Sequence, residues 1–579
     1  MNIIFLSETA NPVFVEDMRK RGTFILIPGD DRFDPRIKSH ADLILSTVDD
    51  TLLIDENAHK DIYRQLAELG IPYITEHTEL TSSYPEDIAY NAVVTSKFLM
   101  HKLKDTAPLL LEHSTYTNKC LIPVRQGYTK CSTVVVSNHS IITSDRGIYE
   151  AAKDYIKVLL IQPGNVLLDG YDHGFLGGAS ASFEDAIVFH GDLRKHPDFL
   201  RIKEFIESEQ KKLIYYPDYP LTDIGSVLVL EHRKDTAGID ACHQKHVNIP
   251  IFISHQGCPN DCVFCNQRKI TAKVEAMTVQ EVSGQVDTYT SSLEEGTRIE
   301  LAFFGGSFTG IEAELQEDYL KLAVGYKKAG RIHAIRLSTR PDYISIEVLD
   351  RLKRYEVDTI ELGVQSFADE VLLAANRGHQ LKDVYEAVSL IKAYGFQLGI
   401  QLMVGLPEDT KERSVRSAKL AAFLKPDFVR IYPTLVIRDT ELLKLCEKGS
   451  YHPLTLDEAV DWTKEMYQVF LDSRISVIRM GLQPTDLITE GKEVLYGPFH
   501  PSFRQLVEGA CFLDRMKAML YDPGFLPDKG TDITILCNPK DLSQVIGHNR
   551  RNILELRKNY PKLRIVPAEH ICPMTLELG

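Results

Sequence analysis

The chain has 579 residues, of which 44% are hydrophobic and 25% charged, and its formal net charge is −15. This length and composition indicate a globular protein of about two to four domains. No apolar run approaches the roughly 18 residues that a membrane span needs, and the acidic balance argues against a basic coat over the whole surface, although a local basic patch is compatible with it.

The N-terminal stretch MNIIFLSETANPVF has neither the basic segment nor the longer apolar stretch of a signal peptide. We therefore expect a soluble, cytoplasmic protein with no membrane partner. The ten cysteines are mostly singly placed and do not predict a disulfide framework. In a reducing compartment, a close group of cysteines is instead a candidate for metal or redox chemistry.

Residues 1–235 are predicted to form an N-terminal α/β domain, because short apolar strands such as NIIFLS and KVLLIQPG are separated by helices such as GIYEAAKDYIK. The stretches GYTKCSTVVVSNHSIITSDRGI and FHGDL resemble the pentein fold of guanidino-modifying enzymes. Those enzymes use a late catalytic cysteine, whereas the corresponding end of this domain reads LTDIGSVLVL. We therefore expect a binding domain or a degenerate one.

The polar residues that this domain offers for a site are Arg125, Asp145, His190, Asp192 and Asp223. His190 and Asp192 are two positions apart and would share one side of a strand. The alternative, which we favour for this set, is local structural hydrogen bonding.

Residues 236–248, TAGIDACHQKHVN, are polar and without periodicity, and predict a linker. In the following domain, residues 249–490, six apolar strands from IPIFIS to FVRIYPTLVI alternate with helical patterns. Continuous hydrophobic strands in this alternation predict a parallel sheet covered by helices, so the fold class is α/β with a partial (β/α)6 TIM-like barrel. Chemistry in such folds lies at the carboxyl ends of the strands.

Three cysteines, Cys258, Cys262 and Cys265, follow the first of these strands in the segment SHQGCPNDCVFCNQRKI. A structural zinc site normally takes four ligands, so zinc would need one further donor. The histidines that could supply it are His243, His246 and His255. Buried inert thiols are a second interpretation. The third is an iron-sulfur cube bound by three thiolates, which leaves one iron open to a substrate or cofactor.

The third arrangement is that of the radical S-adenosylmethionine (SAM) enzymes, and the motif resembles theirs, including the aromatic Phe264 before the last cysteine. One strand-helix unit later, FFGGSFTG sets Gly305, Gly306 and Ser307 at a strand end, where glycines let backbone groups approach a ligand closely. The resemblance implies a 4Fe-4S cluster and SAM as cofactors and a metal-binding, catalytic role for the three cysteines. It also implies that the turn at 305–307 holds the amino group of the methionine moiety.

From about residue 249 to 450 the chain resembles the radical domain of the Elongator catalytic subunit family, through STRPDY, ELGVQS, NRGH, QLMVGLPEDT and RIYPTLVIRDTEL. That family modifies C5 of wobble uridines in tRNA with SAM and acetyl-CoA. Its proteins continue into an acetyltransferase domain, whose glycine-rich pyrophosphate-binding signature does not occur in residues 450–579. The family cysteines are also commonly spaced more widely at the first interval.

The same motifs supply further candidates for SAM contacts, namely Ser338, Arg340, Glu361, Gln365 and Ser366. The last three are polar groups in an apolar strand, so they need buried partners. Ribose hydroxyls of the cofactor and an internal hydrogen-bond network would both serve. Arg340 and Arg438 suit a bound carboxylate or phosphate, and equally a surface ion pair.

The resemblance implies reductive cleavage of SAM to methionine and a 5'-deoxyadenosyl radical, with electrons from a donor such as a flavodoxin or ferredoxin. The favoured substrate is tRNA or another RNA. The alternatives are radical modification of a peptide or small metabolite, and a non-catalytic iron-sulfur regulatory protein.

Residues 491–579 predict a small α+β subdomain in which the strand DITILC leads into VIGHNRRNILEL, a basic helix and a second short strand. This pattern resembles a KH-type RNA-binding unit, whose GxxG loop clamps the nucleotide backbone; the second glycine is missing here. The nucleic-acid candidates are Gly547, Arg550, Arg551 and Arg557. Six basic residues against one acid between 545 and 564 indicate a phosphate-binding footprint or a solvated helix face.

Overall fold

The computed structural model describes residues 2–231, 246–253, 262–266, 277–293, 296–482, 492–521 and 531–579. The chain divides into two compact units, Met1–Asp240 and Ala241–Gly579. Over these described ranges, no helix combines the length and the apolar character that crossing a membrane requires.

The first unit alternates short strands with helices along its described residues. Its strands are β1 (Asn2–Ser7), β2 (Thr23–Ile27), β3 (Leu45–Val48), β4 (Thr51–Asp55), β5 (Tyr73–Glu76), β6 (Val93–Val94), β7 (Phe98–His101), β8 (Cys120–Pro123), β9 (Thr133–Ser137), β10 (Ser140–Thr143), β11 (Lys157–Leu160), β12 (Ser180–Ser182), β13 (Ala186–Phe189), β14 (Lys212–Ile214) and β15 (Leu228–Glu231). Its helices are α1 (Pro12–Arg21), α2 (Lys60–Leu69), α3 (Pro108–Tyr116), α4 (Arg146–Ala152) and α5 (Phe199–Ser208).

One topology is repeated five times in this unit. Each repeat is a three-stranded sheet with one antiparallel and one parallel pairing, and a helix connects the two parallel strands. Four repeats follow the chain in order from β3 to β14, whereas the fifth is completed by β15, which pairs with β1 beside β2. The elements are α/β as predicted, and the resemblance to the pentein fold stays a prediction.

The second unit contains a strand-helix alternation followed by a small subdomain. Its strands are β16 (His246–Phe252), β17 (Arg298–Phe304), β18 (Ala334–Thr339), β19 (Thr359–Gln365), β20 (Gln397–Val404), β21 (Phe428–Pro433), β22 (Val436–Ile437), β23 (Ser476–Met480), β24 (Val494–Tyr496), β25 (Thr534–Cys537), β26 (Arg564–Pro567) and β27 (Leu576–Leu578). Its helices are α6 (Val279–Ser292), α7 (Ala313–Lys328), α8 (Ile346–Arg354), α9 (Asp369–Ala374), α10 (Leu381–Ala393), α11 (Lys411–Phe423), α12 (Glu441–Glu447), α13 (Leu456–Asp472), α14 (Phe503–Leu520), α15 (Leu542–Ile546) and α16 (Arg551–Arg557).

Seven parallel strands form the main sheet, in the order β16-β17-β18-β19-β20-β21-β23. The six strands predicted from the sequence are confirmed, and the partial barrel of parallel strands and helices is the predicted fold class. The seventh strand, β23, was not predicted, because its sequence SVIRM is short and does not alternate regularly between apolar and polar residues. The strand β16 begins at His246, inside the segment predicted as a linker; residues 236–245 of that segment lie outside the described residues.

Successive side chains along each strand of this sheet point to opposite faces, and both faces are buried. In β16, Ile249 and Ile251 are fully buried on the side away from the cavity described below, whereas Pro250 and Phe252 face into that cavity. Proline, phenylalanine and glycine also occur on the inner face, so the sequences of these strands are almost continuously hydrophobic. The inner face nevertheless carries almost all of the polar side chains of the sheet, so it is the face on which a site can form.

Local sequence fixes where two covering helices of the second unit begin. Thr278 and Thr455 accept a hydrogen bond from the backbone three residues ahead, while Glu281 and Glu458 accept one in return from the capping residue. These capping boxes satisfy backbone N–H groups that the first helical turn leaves without a partner.

The C-terminal subdomain is a three-stranded sheet, β26-β25-β27, with two short helices between β25 and β26. The loop predicted as a GxxG-like motif connects those helices. Gly547 has φ +81, and a Cβ at this position would lie 2.7 Å from Cγ of Asn552. Asn552 is buried and donates a hydrogen bond to the carbonyl of Gly509 in α14 (2.7 Å), so Gly547 is required by the packing of this turn.

Phe303 tests the packing of the outer face of the sheet. It is fully buried, with its ring centroid 4.8 Å from that of Phe308 and 5.7 Å from that of Tyr319. We expect Phe303→Ala to lower the free energy of unfolding of the second unit by about 3–5 kcal/mol, because it removes apolar contacts and leaves a cavity. The measurement is urea unfolding followed by the fluorescence of Trp462, the single tryptophan of the chain.

The matched control is Leu373→Ala, since Leu373 is 83% exposed and its loss should change stability by less than about 0.5 kcal/mol. Equal stability of Phe303→Ala and this control would contradict the packing described.

Candidate functional site

The inner face of the seven-stranded sheet encloses a cavity of about 720 Å³, to which each of the seven strands contributes wall residues. Pockets that bind small molecules and cofactors have volumes of about 300–1,000 Å³. Aromatic rings, including those of Phe252, Phe304 and Phe428, form part of the wall. The cavity therefore has the size and the apolar surface of a cofactor site.

Cys262 and Cys265 both line this cavity. A backbone hydrogen bond from Cys265 N to the carbonyl of Cys262 (2.9 Å) closes the turn between them. Val263 anchors that turn, because its N–H donates to the carbonyl of Ala375 (3.1 Å). Cys258 lies outside the described residues. Two of the three predicted thiols thus face one cavity, just beyond the carboxyl end of the first barrel strand.

Arg377 is the cationic neighbour of these thiols. Its Nη1 donates a hydrogen bond to Sγ of Cys262 at 3.2 Å, and Nη2 donates to the carbonyl of Gly363. Burial and the charge of Arg377 lower the pKa of His379 to about 3, so this imidazole is neutral at physiological pH. Arg377 belongs to the motif NRGH, but the sequence pattern alone did not predict its contact with a cysteine.

Gly305 and Gly306 also line the cavity, and Gly305 has φ +82, a conformation that favours glycine. Ser307 is buried behind this turn and is not among the described residues that line the cavity. Its Oγ bonds Oγ1 of Thr339 (2.8 Å) and accepts from the N–H of Arg340 (3.2 Å). Ser307 therefore fixes the turn against β18.

Glu361 lies at the centre of a buried ion-pair network. Its Oε1 accepts from Arg336 Nη1 (2.9 Å) and from Arg430 Nη2 (3.0 Å), and its Oε2 accepts from Gln401 Nε2 (2.9 Å). The carboxylate is fully buried and is not part of the described cavity wall. Glu361 was predicted to bind either ribose hydroxyls of the cofactor or an internal hydrogen-bond network, and these contacts form the internal network.

Glu300 extends the network on the other side of Arg336, which binds it through Nε (2.8 Å) and Nη2 (2.7 Å). His246 Nε2 lies 3.2 Å from the second oxygen of the carboxylate. Burial alone would raise the pKa of Glu300, but His246 and Arg336 outweigh burial and hold the pKa at about 2. The carboxylate is therefore ionised at neutral pH.

The other predicted SAM contacts divide between the wall and the layer behind it. Ser338 and Gln365 line the cavity, and Ser338 Oγ accepts from Gln401 Nε2 (3.2 Å). Arg340 also lines it, with Asp342 bound to Nε (2.9 Å) and Nη2 (2.8 Å). Ser366 is buried behind the wall, where its Oγ accepts from the N–H of Ala368 (3.2 Å). Binding of SAM by these residues stays a prediction.

Five arginines line the cavity, and no acidic residue is among the described residues of its wall. They are Arg336, Arg340, Arg377, Arg430 and Arg479. The guanidinium groups of Arg336 and Arg430 stack on Phe428 (4.7 Å) and Phe304 (5.3 Å). The sequence signal for these two was an arginine inside an otherwise apolar strand, in AIRLST and FVRIYP. Arg438 is instead at the surface, bonded to the carbonyl of Lys492 (3.2 Å).

The nucleic-acid candidates of the tail differ in what they contact. Arg550 is exposed. Arg551 is exposed and its Nη1 lies 3.0 Å from the carboxylate of Asp457. Arg557 is half-buried and its Nε donates to the carbonyl of Leu563 (3.0 Å), which supports the chain between α16 and β26.

Most of the polar candidates of the first unit have local structural roles, as favoured from the sequence. Asp145 caps α4 by accepting from Ile148 N (2.9 Å). The His190 ring bonds the carbonyl of Thr222 and accepts from Asn11 N (3.0 Å each), and Asp192 binds Arg194. Arg125 is exposed. Asp223 differs from these residues, because it is buried beside a cysteine and a histidine from other repeats.

The low pKa of Glu300 predicts an acid dependence of stability. A depressed pKa stabilises the folded state above the unfolded pKa of 4.5, and this stabilisation is lost as the pH falls towards 2. In Glu300→Gln this contribution is absent, so the drop in unfolding free energy between pH 5 and pH 3 should be smaller than in the parent by about 2 kcal/mol. Urea unfolding followed by Trp462 fluorescence measures the unfolding free energy of the parent and of the variant at each pH. The control is Glu347→Gln, at an exposed position, which should keep the pH dependence of the parent. If Glu300→Gln also showed the pH dependence of the parent, the network around Glu300 would be contradicted.

Family models match most of the chain. Residues 252–421 match the radical SAM superfamily, and residues 426–511 match the Radical_SAM C-terminal domain. Residues 5–228 match a family of unknown function, DUF6873. Radical SAM proteins use a 4Fe-4S cluster and SAM, which are the cofactors expected from the sequence.

Among curated relatives, the tRNA uridine(34) acetyltransferase of Methanocaldococcus infernus is 28% identical over 258 residues, covering 40% of this chain and 48% of that protein. Elongator complex protein 3 of Saccharomyces cerevisiae is 28% identical over 240 residues, covering 36% of this chain and 43% of that protein. The chain thus spans less than half of the length of these two relatives. A solved structure of the M. infernus Elp3 with an N-terminal deletion has 21% identity and a TM-score of 0.39, and the match covers 50% of this chain and 70% of that one. The second unit therefore contains a radical SAM domain followed by a Radical_SAM C-terminal domain, homologous to the radical SAM region of the Elongator complex protein 3 family.

Proposed function

We propose that this chain is a radical SAM enzyme that cleaves SAM with a 4Fe-4S cluster and modifies RNA, with tRNA as the favoured substrate. The observation that carries the proposal is the position of Cys262, Cys265 and the Gly305–Gly306 turn around one cavity. These groups follow two adjacent parallel strands, so both lie at the edge of the barrel where catalytic groups converge.

The thiols present fit an iron-sulfur cluster. Cys262 and Cys265 are held by a closed turn and face a cavity with room for a cluster and a second ligand. Arg377 donates to the thiol of Cys262, and its buried Nε has no partner among the described residues. A guanidinium at this place would stabilise the negative charge of thiolate-bound iron. Cys258 is the proposed third ligand.

The cavity also suits SAM. The carboxylate of the methionine moiety requires a cationic partner, and Arg340 offers one at the wall close to the glycine turn. The main chain at Gly305 and Gly306 can approach the amino group without interference from a side chain. Gln365 and Ser338 provide hydrogen-bonding groups for ribose hydroxyls. Phe252 and Phe304 exclude water from this part of the cavity.

When bound, the cluster and SAM supply a reactive 5'-deoxyadenosyl radical, which takes hydrogen from an unactivated carbon. The chain's own residues orient the two cofactors and shield them. The arginines at the wall hold anionic parts of SAM and substrate, and the network around Glu361 fixes two of those arginines in position. An electron donor such as a flavodoxin or ferredoxin is the proposed partner.

RNA is favoured over a peptide or small metabolite for two reasons. The relatives in the comparison are named tRNA uridine(34) acetyltransferase and Elongator complex protein 3. The exposed Arg550 lies on the loop between two short helices and the exposed Arg551 begins the second helix, where a KH-type unit contacts a nucleotide backbone. The cationic cavity wall is also suited to a phosphate-bearing substrate.

The cofactor chemistry can be tested on the individual cysteines. After anaerobic reconstitution, we expect Cys258→Ala, Cys262→Ala and Cys265→Ala each to lose the visible absorption of the cluster and the dithionite-dependent formation of 5'-deoxyadenosine. Cys511→Ala and Cys537→Ala are the matched controls, because these buried thiols lie in the C-terminal part of the unit. If the parent held a full cluster but did not cleave SAM, the proposed enzymatic function would be contradicted and an iron-sulfur regulatory protein favoured. An equal need for Cys242 or His255 would indicate a closed four-ligand site.

RNA binding can be tested with Arg550→Gln/Arg551→Gln, which removes two exposed charges and leaves Arg557, a support of the turn, in place. We expect weaker binding of tRNA and a salt dependence whose slope falls by about 1.4–1.8, because each of the two lost phosphate contacts removes about 0.7–0.9 from it. SAM cleavage without RNA should be unchanged. Asp457→Asn, which releases Arg551 from its ion pair, should strengthen binding.

The control for charge alone is Lys328→Gln/Lys382→Gln, since both lysines are exposed on barrel helices. Equal tRNA affinity and salt slope in the Arg550/Arg551 variant and the parent would exclude the tail as the RNA-binding element. Loss of binding in the lysine control as well would indicate a general charge effect.

A further inference from the structure

The five repeats of the first unit bring their strand-preceding loops into mutual contact. Lys130 N donates to the carbonyl of Asn91 (3.0 Å), Gly178 N to that of Cys131 (2.8 Å), and Ser226 N to that of Gly178 (3.0 Å). These residues precede the first strands of four repeats, and Asp42, which precedes the first strand of the remaining repeat, receives a hydrogen bond from Cys131. The contacts gather residues that are up to about half of the unit apart in sequence at a single buried place.

His40, Cys131 and Asp223 meet at this place. One ligand atom from each lies within 4.8 Å of those of the other two, and all three residues are buried. A nitrogen, a sulfur and an oxygen donor are thus directed at one point. Asn91 Nδ2 donates to Sγ of Cys131 (3.4 Å), a contact in which the sulfur is the acceptor. Asp223 is the one member of this cluster that the sequence analysis singled out.

Asp42, two residues after His40, contacts this cluster at Cys131. Its Oδ2 lies 2.9 Å from Sγ of Cys131. The residue is 0% exposed, and its Oδ1 has no hydrogen-bond partner among the described residues. A buried carboxylate oxygen without a donor is costly unless another group compensates for its charge. A cation bound between these side chains is such a group.

Glycine makes room for the donors at two positions. A Cβ on Gly178 would lie 2.0 Å from Oδ1 of Asp223, and a Cβ on Gly225, where φ is +76, would lie 2.0 Å from Cγ of His40. Any side chain at either position would displace a member of the cluster. The close packing of His40 and Asp223 is therefore built into the backbone of two different repeats.

The charges of the cluster match a divalent cation. Asp42 and Asp223 are carboxylates, and Cys131 becomes a thiolate on coordination. Lys130 is close enough to interact electrostatically with Asp42 and Cys131, so three potential anions face one ammonium group. This leaves an excess of two negative charges, which one divalent cation neutralises. Without a cation, the two buried carboxylates would repel one another in a medium of low dielectric constant, and the Cys131 thiol would be held as a donor to Asp42 Oδ2.

We propose that the first unit binds one divalent cation of the zinc type through His40, Cys131 and Asp223, with Asp42 as a further oxygen donor. Mixed sulfur, imidazole and carboxylate ligands are typical of zinc and of cations with similar preferences, whereas magnesium and calcium take oxygen ligands alone. On binding, Cys131 releases its thiol proton to solvent and its sulfur forms the bond to the metal. This site is separate from the cluster cysteines of the second unit and does not depend on the function proposed for them.

The test uses the full chain carrying Cys258→Ser, Cys262→Ser and Cys265→Ser, so that the cluster thiols cannot take up metal. After removal of metals, this protein is titrated with Zn²⁺ and, in parallel, with Co²⁺. We expect one Zn²⁺ per chain by mass spectrometry after dialysis, and a near-ultraviolet absorption band from thiolate-to-cobalt charge transfer. Cys131→Ser in this background should lose the band, and His40→Gln and Asp223→Asn should weaken Zn²⁺ binding by a factor of at least about 10.

Cys120→Ser is the matched control, because Cys120 is a half-buried thiol of the same unit and its loss should leave the band unchanged. Circular dichroism establishes whether each variant is folded. If Cys131→Ser does not fold, the proposal is judged on the Zn²⁺ stoichiometry of the parent and on the Zn²⁺ affinity of the folded Asp223→Asn variant. The proposal is overturned if the folded parent binds neither metal, if the charge-transfer band persists in Cys131→Ser, or if Asp223→Asn retains parental Zn²⁺ affinity.

Discussion

The buried carboxylate of Glu361 is the interaction on which the barrel cavity depends. It accepts hydrogen bonds from Arg336, Arg430 and Gln401, which belong to three other strands. A carboxylate removed from water costs several kcal/mol unless such partners replace the lost hydration. Four strands are thereby tied together at one point on their inner faces. Because the arginines are held by Glu361, their stacking on the aromatic rings of the wall is fixed before any ligand enters.

The charge inside this cavity is opposite to that of the molecule. The chain carries a formal net charge of −15, yet the described wall of the cavity contains five arginines and no acidic residue. The carboxylates that balance these arginines, such as Glu361 and Asp342, are set behind or beside the wall. Guanidinium groups are suited to carboxylate and phosphate ligands. The wall of the cavity therefore differs in charge from the chain as a whole.

The two units bring distant residues together in different ways. In the barrel, the cysteine turn and the glycine turn are neighbours because consecutive parallel strands end at the same edge of the sheet. In the first unit, five copies of one sheet-and-helix topology direct their strand-preceding loops to a common point, which collects His40, Cys131 and Asp223. Distant residues thus meet in the first unit because equivalent loops of the repeats converge, and in the barrel because parallel strands end at the same edge.

The sequence by itself determined the elements that depend on local pattern. Strand-length apolar runs alternating with amphipathic segments predicted six of the seven barrel strands, and the cysteine spacing with Phe264 and the Gly305–Gly306 turn indicated the chemistry. The strand β23 was missed because its sequence is short and shows no regular alternation of polarity. The helix caps at Thr278 and Thr455 are also local, since residue and partner are three positions apart.

The tertiary structure alone decided which polar side chains face a ligand and which satisfy one another. Glu361, Gln365 and Ser366 are close neighbours in sequence, yet Gln365 lines the cavity, Glu361 binds arginines from β18 and β21, and Ser366 bonds the backbone behind the wall. The meeting of His40, Cys131 and Asp223 likewise joins positions far apart in the chain. Contacts of this kind depend on strand order and on the direction of each side chain, and a one-dimensional pattern specifies neither until the sheets have formed.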